Sequence, residues 1–211
     1  MTRSQAAADA AGHGTGSPGG VRLSPEQWDH WFQTGWPTVV SHKEAQLFYD
    51  HVAPRPGMSA VDLACGNGQW TRQLAAWGLN ATGFDFSAEA LRQATAAGAA
   101  GVTYAHWDID GEPIHHILQP GSVDVVTCRY ALPYLQYERL LTDVGRWLRP
   151  SGTFYALVYV DQPGATRKPD TDLFHRGFAG EEIQTLGSGW AFRRTYSLSR
   201  TQKAVVLRDY S

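Results

Sequence analysis

The residues best placed to do chemistry fall at the ends of three apolar runs. Ala60-Val61-Asp62-Leu63-Ala64-Cys65-Gly66-Asn67-Gly68-Gln69-Trp70 begins as a strand, turns through two glycines and opens a helix at Gln69. Glycine is required where the backbone must take φ > 0 or approach a ligand closely. A strand–turn–helix unit of this kind aims free N–H groups into the crevice beyond the strand, a signal for a nucleotide. The next run, Ala81-Thr82-Gly83-Phe84-Asp85, closes on an acid and is followed by Phe86 and Ser87. A carboxylate there, at the carboxyl end of the neighbouring strand, can accept hydrogen bonds from two ribose hydroxyls. Two common nucleotide motifs are excluded. The dinucleotide fingerprint needs a third glycine where Thr71 stands, and no Gly-Lys-Ser/Thr follows to make a phosphate-cradling loop.

The spacing that does fit is Asp-x-(Gly/Ala)-x-Gly-x-Gly, here Asp62 to Gly68. It closely resembles the first motif of the class I S-adenosylmethionine-dependent methyltransferases, with Ala64 in place of the first glycine. The resemblance runs over roughly residues 58 to 209. It implies a Rossmann-like α/β fold: a seven-stranded, mostly parallel sheet ending in an antiparallel hairpin, with helices on both faces. It also implies S-adenosylmethionine as cofactor, held at Asp62, Ala64, Cys65, Gly66, Asn67 and Gly68, with Asp85 and Phe86 at the ribose. Asp108 and Ile109, after the run Val102–His106, resemble the family's adenine-holding pair, Asp110 competing for the acid's role. The turn after the fourth strand opens at Cys128 and Arg129, which the resemblance adds to the cofactor contacts. Leu148-Arg149-Pro150-Ser151-Gly152, ahead of the fifth strand, is also typical of the family.

That turn separates the family's substrate classes. Cys128-Arg129-Tyr130-Ala131 lacks the Asn/Asp-Pro-Pro-aromatic pattern of enzymes acting on amide or adenine nitrogens. No proline precedes Cys128, as it would in a cytosine C5 enzyme, so the thiol reads as a small apolar residue. Acids that would hold Mg²⁺ are missing, as are the paired glutamates of arginine methyltransferases. The expectation is a metal-independent enzyme moving a methyl group to an O or N nucleophile of a small aromatic or apolar molecule. The alternatives are a non-catalytic cofactor-binding module and an enzyme with a peptide or protein acceptor. From a wider set of possible bases that includes His42, His51 and Asp161, the expected catalytic residues are His175 and Tyr130. Arg129 is open to two readings, a partner for an acceptor carboxylate or an internal salt bridge.

These residues need elements to position them. From residue 60 the pattern alternates strand and helix, which calls for a parallel sheet covered on both faces. Two helices precede it. Ser24-Pro25-Glu26-Gln27 and Ser41-His42-Lys43-Glu44 both read as capping boxes. The organisation expected is a disordered tail over 1–20, lid helices over 21–56 and a cofactor-binding domain over 57–211. Trp28, Trp31 and Trp36, with Tyr134, are the expected acceptor-pocket residues; the chain holds eight tryptophans and nine tyrosines, many for 211 residues. A net charge of −2 with scattered acids and bases gives no nucleic-acid footprint. No apolar run approaches a membrane span. Two cysteines make no disulfide framework, and the first twenty residues lack a signal peptide's apolar core, so the expected setting is cytoplasmic.

Overall fold

The computed structural model describes residues 22–35, 39–161 and 173–211. The expected tail over 1–20 and the candidate Trp36 lie outside the described residues. The elements are α1 (Pro25–Thr34), α2 (His42–Val52), β1 (Ser59–Leu63), α3 (Gln69–Ala76), β2 (Asn80–Asp85), α4 (Ala88–Ala97), β3 (Val102–His106), β4 (Val123–Arg129), α5 (Tyr137–Trp147), β5 (Leu148–Val160), β6 (Gly177–Phe178), α6 (Gly180–Thr185), β7 (Trp190–Ser197) and β8 (Gln202–Tyr210).

One sheet runs β3-β2-β1-β4-β5-β8-β7. Its first five strands are parallel, and β8 and β7 return antiparallel as the expected hairpin. The sheet has eight strands rather than seven among the described residues. The addition is β6, two residues that pair with Tyr159 and Val160 past the point where β4 ends on β5. Phe178 belongs to β6, and the short helix α6 begins two residues later at Gly180.

Alternate residues of each central strand feed two separate cores, as the period of a strand demands. Phe154, Ala156 and Val158 face one core with Trp107, Leu140, Leu141, Val144 and Ile183. Tyr155 and Leu157 face the other with Phe48, Val52, Trp70 and Leu74. Helices α5 and α6 therefore cover one face of the sheet, and α2 and α3 the other. Helix α1 is different: it buries none of its own residues and lies along α4. Its capping box is formed on both sides, with the Gln27 N–H donating to Ser24 Oγ and the Ser24 N–H to Gln27 Oε1.

From β1 the chain builds outward to β3 and then returns to pair β4 on β1's other side. Strand order reverses there, and a crevice opens beyond the carboxyl ends of the strands.

Candidate functional site

The floor of the crevice is the turn after β1. Asp62 is buried, and both carboxylate oxygens accept hydroxyls, from Thr71 at 2.7 Å and Thr127 at 2.8 Å. Thr71 thus has a task that glycine could not perform. Burial pushes the Asp62 carboxyl up to about 6, against the two hydroxyls that favour its charge. Ala64, Gly66 and Gly68 all take left-handed backbone, at φ 50°, 54° and 72°. The Gly66 N–H donates to Asp85 Oδ2 at 2.8 Å, and the Ser87 N–H donates to Asp85 Oδ1 at 2.9 Å. The carboxylate has four acceptor positions in all, so it can still take a hydroxyl arriving from the cleft that Asp85 lines. Burial raises this carboxyl to about 6 as well. A Cβ on Gly66 would lie 3.1 Å from the Phe32 ring, so this glycine lets the roof close on the turn. Gly68 is buried off the cleft wall, where a Cβ would strike the Tyr104 hydroxyl.

The roof is α1, whose Trp28, Trp31 and Phe32 line the cleft. It is held to α4 by polar contacts. Asp29 accepts the Ser87 hydroxyl at 2.5 Å and the Glu89 N–H at 3.1 Å, and Gln93 Nε2 donates to the Phe32 carbonyl at 2.8 Å. Just before α1, Arg22 pairs with Asp108. Asp108 Oδ1 accepts the N–H groups of Asp110 and Gly111, so its carboxylate closes the local turn and anchors the roof. That commits the acid expected at an adenine amine. Asp110 instead lines the cleft with Oδ1 buried and unpartnered, its other oxygen accepting the Gln136 N–H at 3.0 Å. Beside it the Ile109 N–H donates to nothing among the described residues.

The far end of the cleft is aromatic. Trp28 meets the rings of Tyr134 at 5.3 Å and Phe174 at 5.1 Å, and Trp31 stacks on Phe174 at 5.9 Å. The Tyr134 hydroxyl donates to the Leu173 carbonyl and accepts the Arg176 N–H, tying the segment ahead of β6 to the turn after β4. Tyr130 sits at φ 61°, stacks on Tyr159 at 4.7 Å, and its hydroxyl accepts Gln202 Nε2 at 3.0 Å. Burial, then the nearby Glu44 charge, pushes this phenol well above its usual range. His175 is exposed at the mouth, 5.9 Å from the Tyr159 ring centroid. His42, His51 and Asp161 are not on the cleft wall.

The two cofactor candidates at the end of β4 are placed differently from one another. Cys128 is fully buried in the core, off the cleft, and burial raises its thiol, as it does for Cys65; both are free. Arg129 lines the cleft, and Glu44 of α2 holds its guanidinium through Nε at 2.6 Å and Nη2 at 2.9 Å. The internal salt bridge is therefore the reading the structure bears out. Sequence reasoning missed Glu44 by spending it on a helix cap. Its spacing to Phe48 and Val52, four and eight residues on, had placed it on the buried stripe of α2. Phe32 shares the helical spacing of Trp28 and Trp31 on α1 but was not singled out for the site, and Tyr159 and Phe174 carry no local signal.

Residues 60–152 match the family described as "Methyltransferase domain". The chain is 30% identical over 149 residues to a ubiquinone biosynthesis O-methyltransferase of Cupriavidus pinatubonensis, covering 65% of this chain and 59% of that protein. It is 35% identical over 101 residues to the enzyme of the same name from Methylococcus capsulatus, covering 47% and 42%. The chain thus spans about half the length of the curated relatives it matches. Among solved structures, it resembles Haemonchus contortus phosphoethanolamine N-methyltransferase 2 in complex with S-adenosyl-L-methionine, with a TM-score of 0.68, 15% identity, and coverage of 89% of this chain and 58% of that one. It also resembles a SAM-dependent methyltransferase from Aquifex aeolicus, with a TM-score of 0.65, 13% identity, and coverage of 88% and 98%. The fold and the turn after β1 agree with that match: residues 60–152 carry a methyltransferase domain, and the architecture resembles that of the class I S-adenosylmethionine-dependent methyltransferases. Among the described residues no group of three or more His, Cys, Asp or Glu could hold a metal ion, and no helix is long and apolar enough to cross a membrane.

Proposed function

We propose that this protein transfers a methyl group from S-adenosylmethionine to an O or N nucleophile of a small aromatic or apolar molecule, without a metal. The observation that carries the reading is the continuity of one cleft. The polar floor at Asp62, Gly66 and Asp85 opens directly onto the aromatic chamber of Trp28, Trp31, Tyr134, Tyr159 and Phe174. Such rings offer flat apolar contact to a planar acceptor. The relatives named O-methyltransferase favour oxygen as the nucleophile.

The residues fit the cofactor. Asp85 brings a carboxylate on the cleft wall to the ribose hydroxyls, Asp110 Oδ1 is the unpartnered acceptor for the exocyclic amine, and the Ile109 N–H serves a ring nitrogen. Gly66 gives the close approach, and Phe32 covers it. When bound, the cofactor supplies an electrophilic methyl group on a sulfonium. The chain aligns the nucleophile against it and excludes water under α1; alignment of this kind is worth on the order of 7–11 kcal/mol. His175, at the mouth of the chamber, takes the proton of a phenol or ammonium acceptor, typically worth about 10²–10⁴-fold. Tyr130 stays protonated, so it acts as a wall and a hydrogen-bond donor instead of a base. The two free thiols fit a reducing, cytoplasmic setting.

Calorimetric titration with S-adenosylmethionine and S-adenosylhomocysteine, with NADH as control, tests the cofactor. Micromolar binding of both, with none of NADH, is expected; a folded protein that binds neither would overturn the reading. A mass-shift screen of acceptors follows. Turnover confined to small, highly polar acceptors would sink the aromatic chamber as the acceptor site.

A further inference from the structure

Resting on the methyl-transfer reading above, we infer that Tyr134 is the positioning residue for His175: its hydroxyl clamps both ends of the Phe174–His175 dipeptide and holds the base at the mouth of the acceptor chamber. The Tyr134 hydroxyl donates to the Leu173 carbonyl at 3.0 Å and accepts the Arg176 N–H at 2.8 Å. Those two backbone groups flank Phe174 and His175, and both of these residues line the cleft. One phenol oxygen thus closes the segment much as a turn's own backbone hydrogen bond would. A hydroxyl carries a single proton, and here it goes to the backbone, so Tyr134 has none left to offer an acceptor.

The mount is firm. Tyr134 ends a one-turn 3-10 helix, Leu132–Tyr134, that follows shortly after β4. Leu132 is fully buried, and just beyond the turn the Gln136 N–H donates to Asp110 Oδ2 at 3.0 Å. The Tyr134 ring meets Trp28 edge-on at 5.3 Å, and the Arg176 guanidinium lies 5.0 Å from its centroid. Arg176 Nη1 also donates to the Pro133 carbonyl at 3.2 Å, a second tie between the same two segments. What the clamp holds is functional on both counts. Phe174 stacks on Trp31 at 5.9 Å and meets Trp28 at 5.1 Å, so it is one of the chamber's rings. His175 is exposed, with its ring 5.9 Å from that of Tyr159. A general base must stay within hydrogen-bond reach of the proton it takes, and a misplacement of about 1 Å can cost about 10²-fold. An exposed histidine on a connecting segment gains that precision from whatever fixes its backbone.

The test compares two probe acceptors, 4-methylphenol, which must lose a proton to react, and 4-nitrophenol, which is largely ionised at about pH 8 and needs no base. Tyr134→Phe keeps the ring and removes the clamp. It should lower kcat for 4-methylphenol by about 10- to 100-fold and for 4-nitrophenol by less than about threefold, with the KM for S-adenosylmethionine unchanged. His175→Ala should show the same selectivity. The double variant should lose no more than His175→Ala alone, because the hydroxyl acts through the histidine. Hydrogen exchange gives a reading that needs no variant: in the wild type the Arg176 amide should be protected although it lies ahead of β6, outside the sheet. Equal losses for the two phenols, additive losses in the double variant, or an unprotected Arg176 amide would overturn the inference and leave the methyl-transfer reading intact. A wild type that binds S-adenosylhomocysteine yet methylates neither phenol would overturn it together with the aromatic-acceptor reading.

Discussion

Asp85 ends β2 and Asp108 follows the neighbouring β3 on one rim of the cleft, and the chain uses them in opposite ways. Asp85 is buried and is held by two backbone amides from its own locality and the adjacent turn. Asp108 is partly exposed and is held by its own turn and by Arg22, a side chain 86 residues away in sequence. The contrast extends to the whole cleft. Its floor is backbone geometry fixed by a short stretch of sequence, whereas its roof is held on by side chains that reach across the molecule. A floor of that kind is formed before any ligand arrives. The roof is tied down by a few polar contacts that can be broken one at a time.

The largest effect should come from the buried tie between α2 and β4. Glu44→Ala leaves the Arg129 charge uncompensated and should cost about 3–5 kcal/mol, the usual penalty for half of a buried pair. Replacing Glu44 and Arg129 together with apolar residues of similar volume should restore most of that stability while leaving cofactor binding impaired. Chemical denaturation with an S-adenosylhomocysteine titration checks both halves. If Glu44→Ala cost under 1 kcal/mol, the pair would be behaving as a surface contact.

The two acids themselves come next. Asp85→Ala should weaken cofactor binding by about 1.5–3 kcal/mol, the usual worth of hydrogen bonds to a charged group. Asp108→Ala removes a partly exposed ion pair and should change it by about 1 kcal/mol or less. Equal effects in calorimetry would mean that the rim treats the two carboxylates alike, and that Asp110 does not hold the adenine.

Protonation separates the floor from the roof in another way. Asp62 and Asp85 are raised from 3.8 to about 6 in the folded chain by burial. Between about pH 4 and 6 the folded protein holds protons that the unfolded chain has released. These two groups therefore contribute most stability to the cofactor-free protein below about pH 4 and lose it as pH rises through 6. Asp85→Asn should accordingly gain stability relative to wild type at about pH 7.5, and the gain should shrink at about pH 5, as urea midpoints would show. A gain of the same size at both values would place the titration elsewhere.

The same division decided what could be read from the sequence. The turn from Asp62 to Gly68, the acid after β2 and the alternation of strands and helices were legible because each depends on neighbours a few residues away. Ser24 and Gln27 were legible as a capping box for the same reason. Glu44 was not. Its local pattern reads equally well as a cap, and only the fold shows that the carboxylate reaches Arg129, 85 residues on. Asp108 shows the same limit. Its motif was visible, but the arrival of Arg22, which hands the unpartnered acceptor to Asp110, could not be inferred from spacing. The rings of Tyr159 and Phe174 carry no motif at all; they enter the site because β6 and the Tyr134 hydroxyl bring their segments together.

The smallest expected effect tests how far the floor's backbone departs from ease. Ala64 holds φ 50° at the position where the family's first motif has glycine, and Ala53 holds φ 52° at the C-cap of α2, away from the cleft. A left-handed backbone costs a non-glycine residue about 1–2 kcal/mol, and glycine gives back about 0.5–1 kcal/mol of that through its freer unfolded chain. Both Ala64→Gly and Ala53→Gly should therefore gain between about 0 and 1.5 kcal/mol in denaturation, with cofactor affinity unchanged. Ala53 is the reference that makes the pair informative. If Ala53→Gly gained and Ala64→Gly lost stability, the Ala64 methyl would be packing within the turn strongly enough to outweigh its strain. The alanine would then be part of how this floor is built, and not a tolerated departure from the motif.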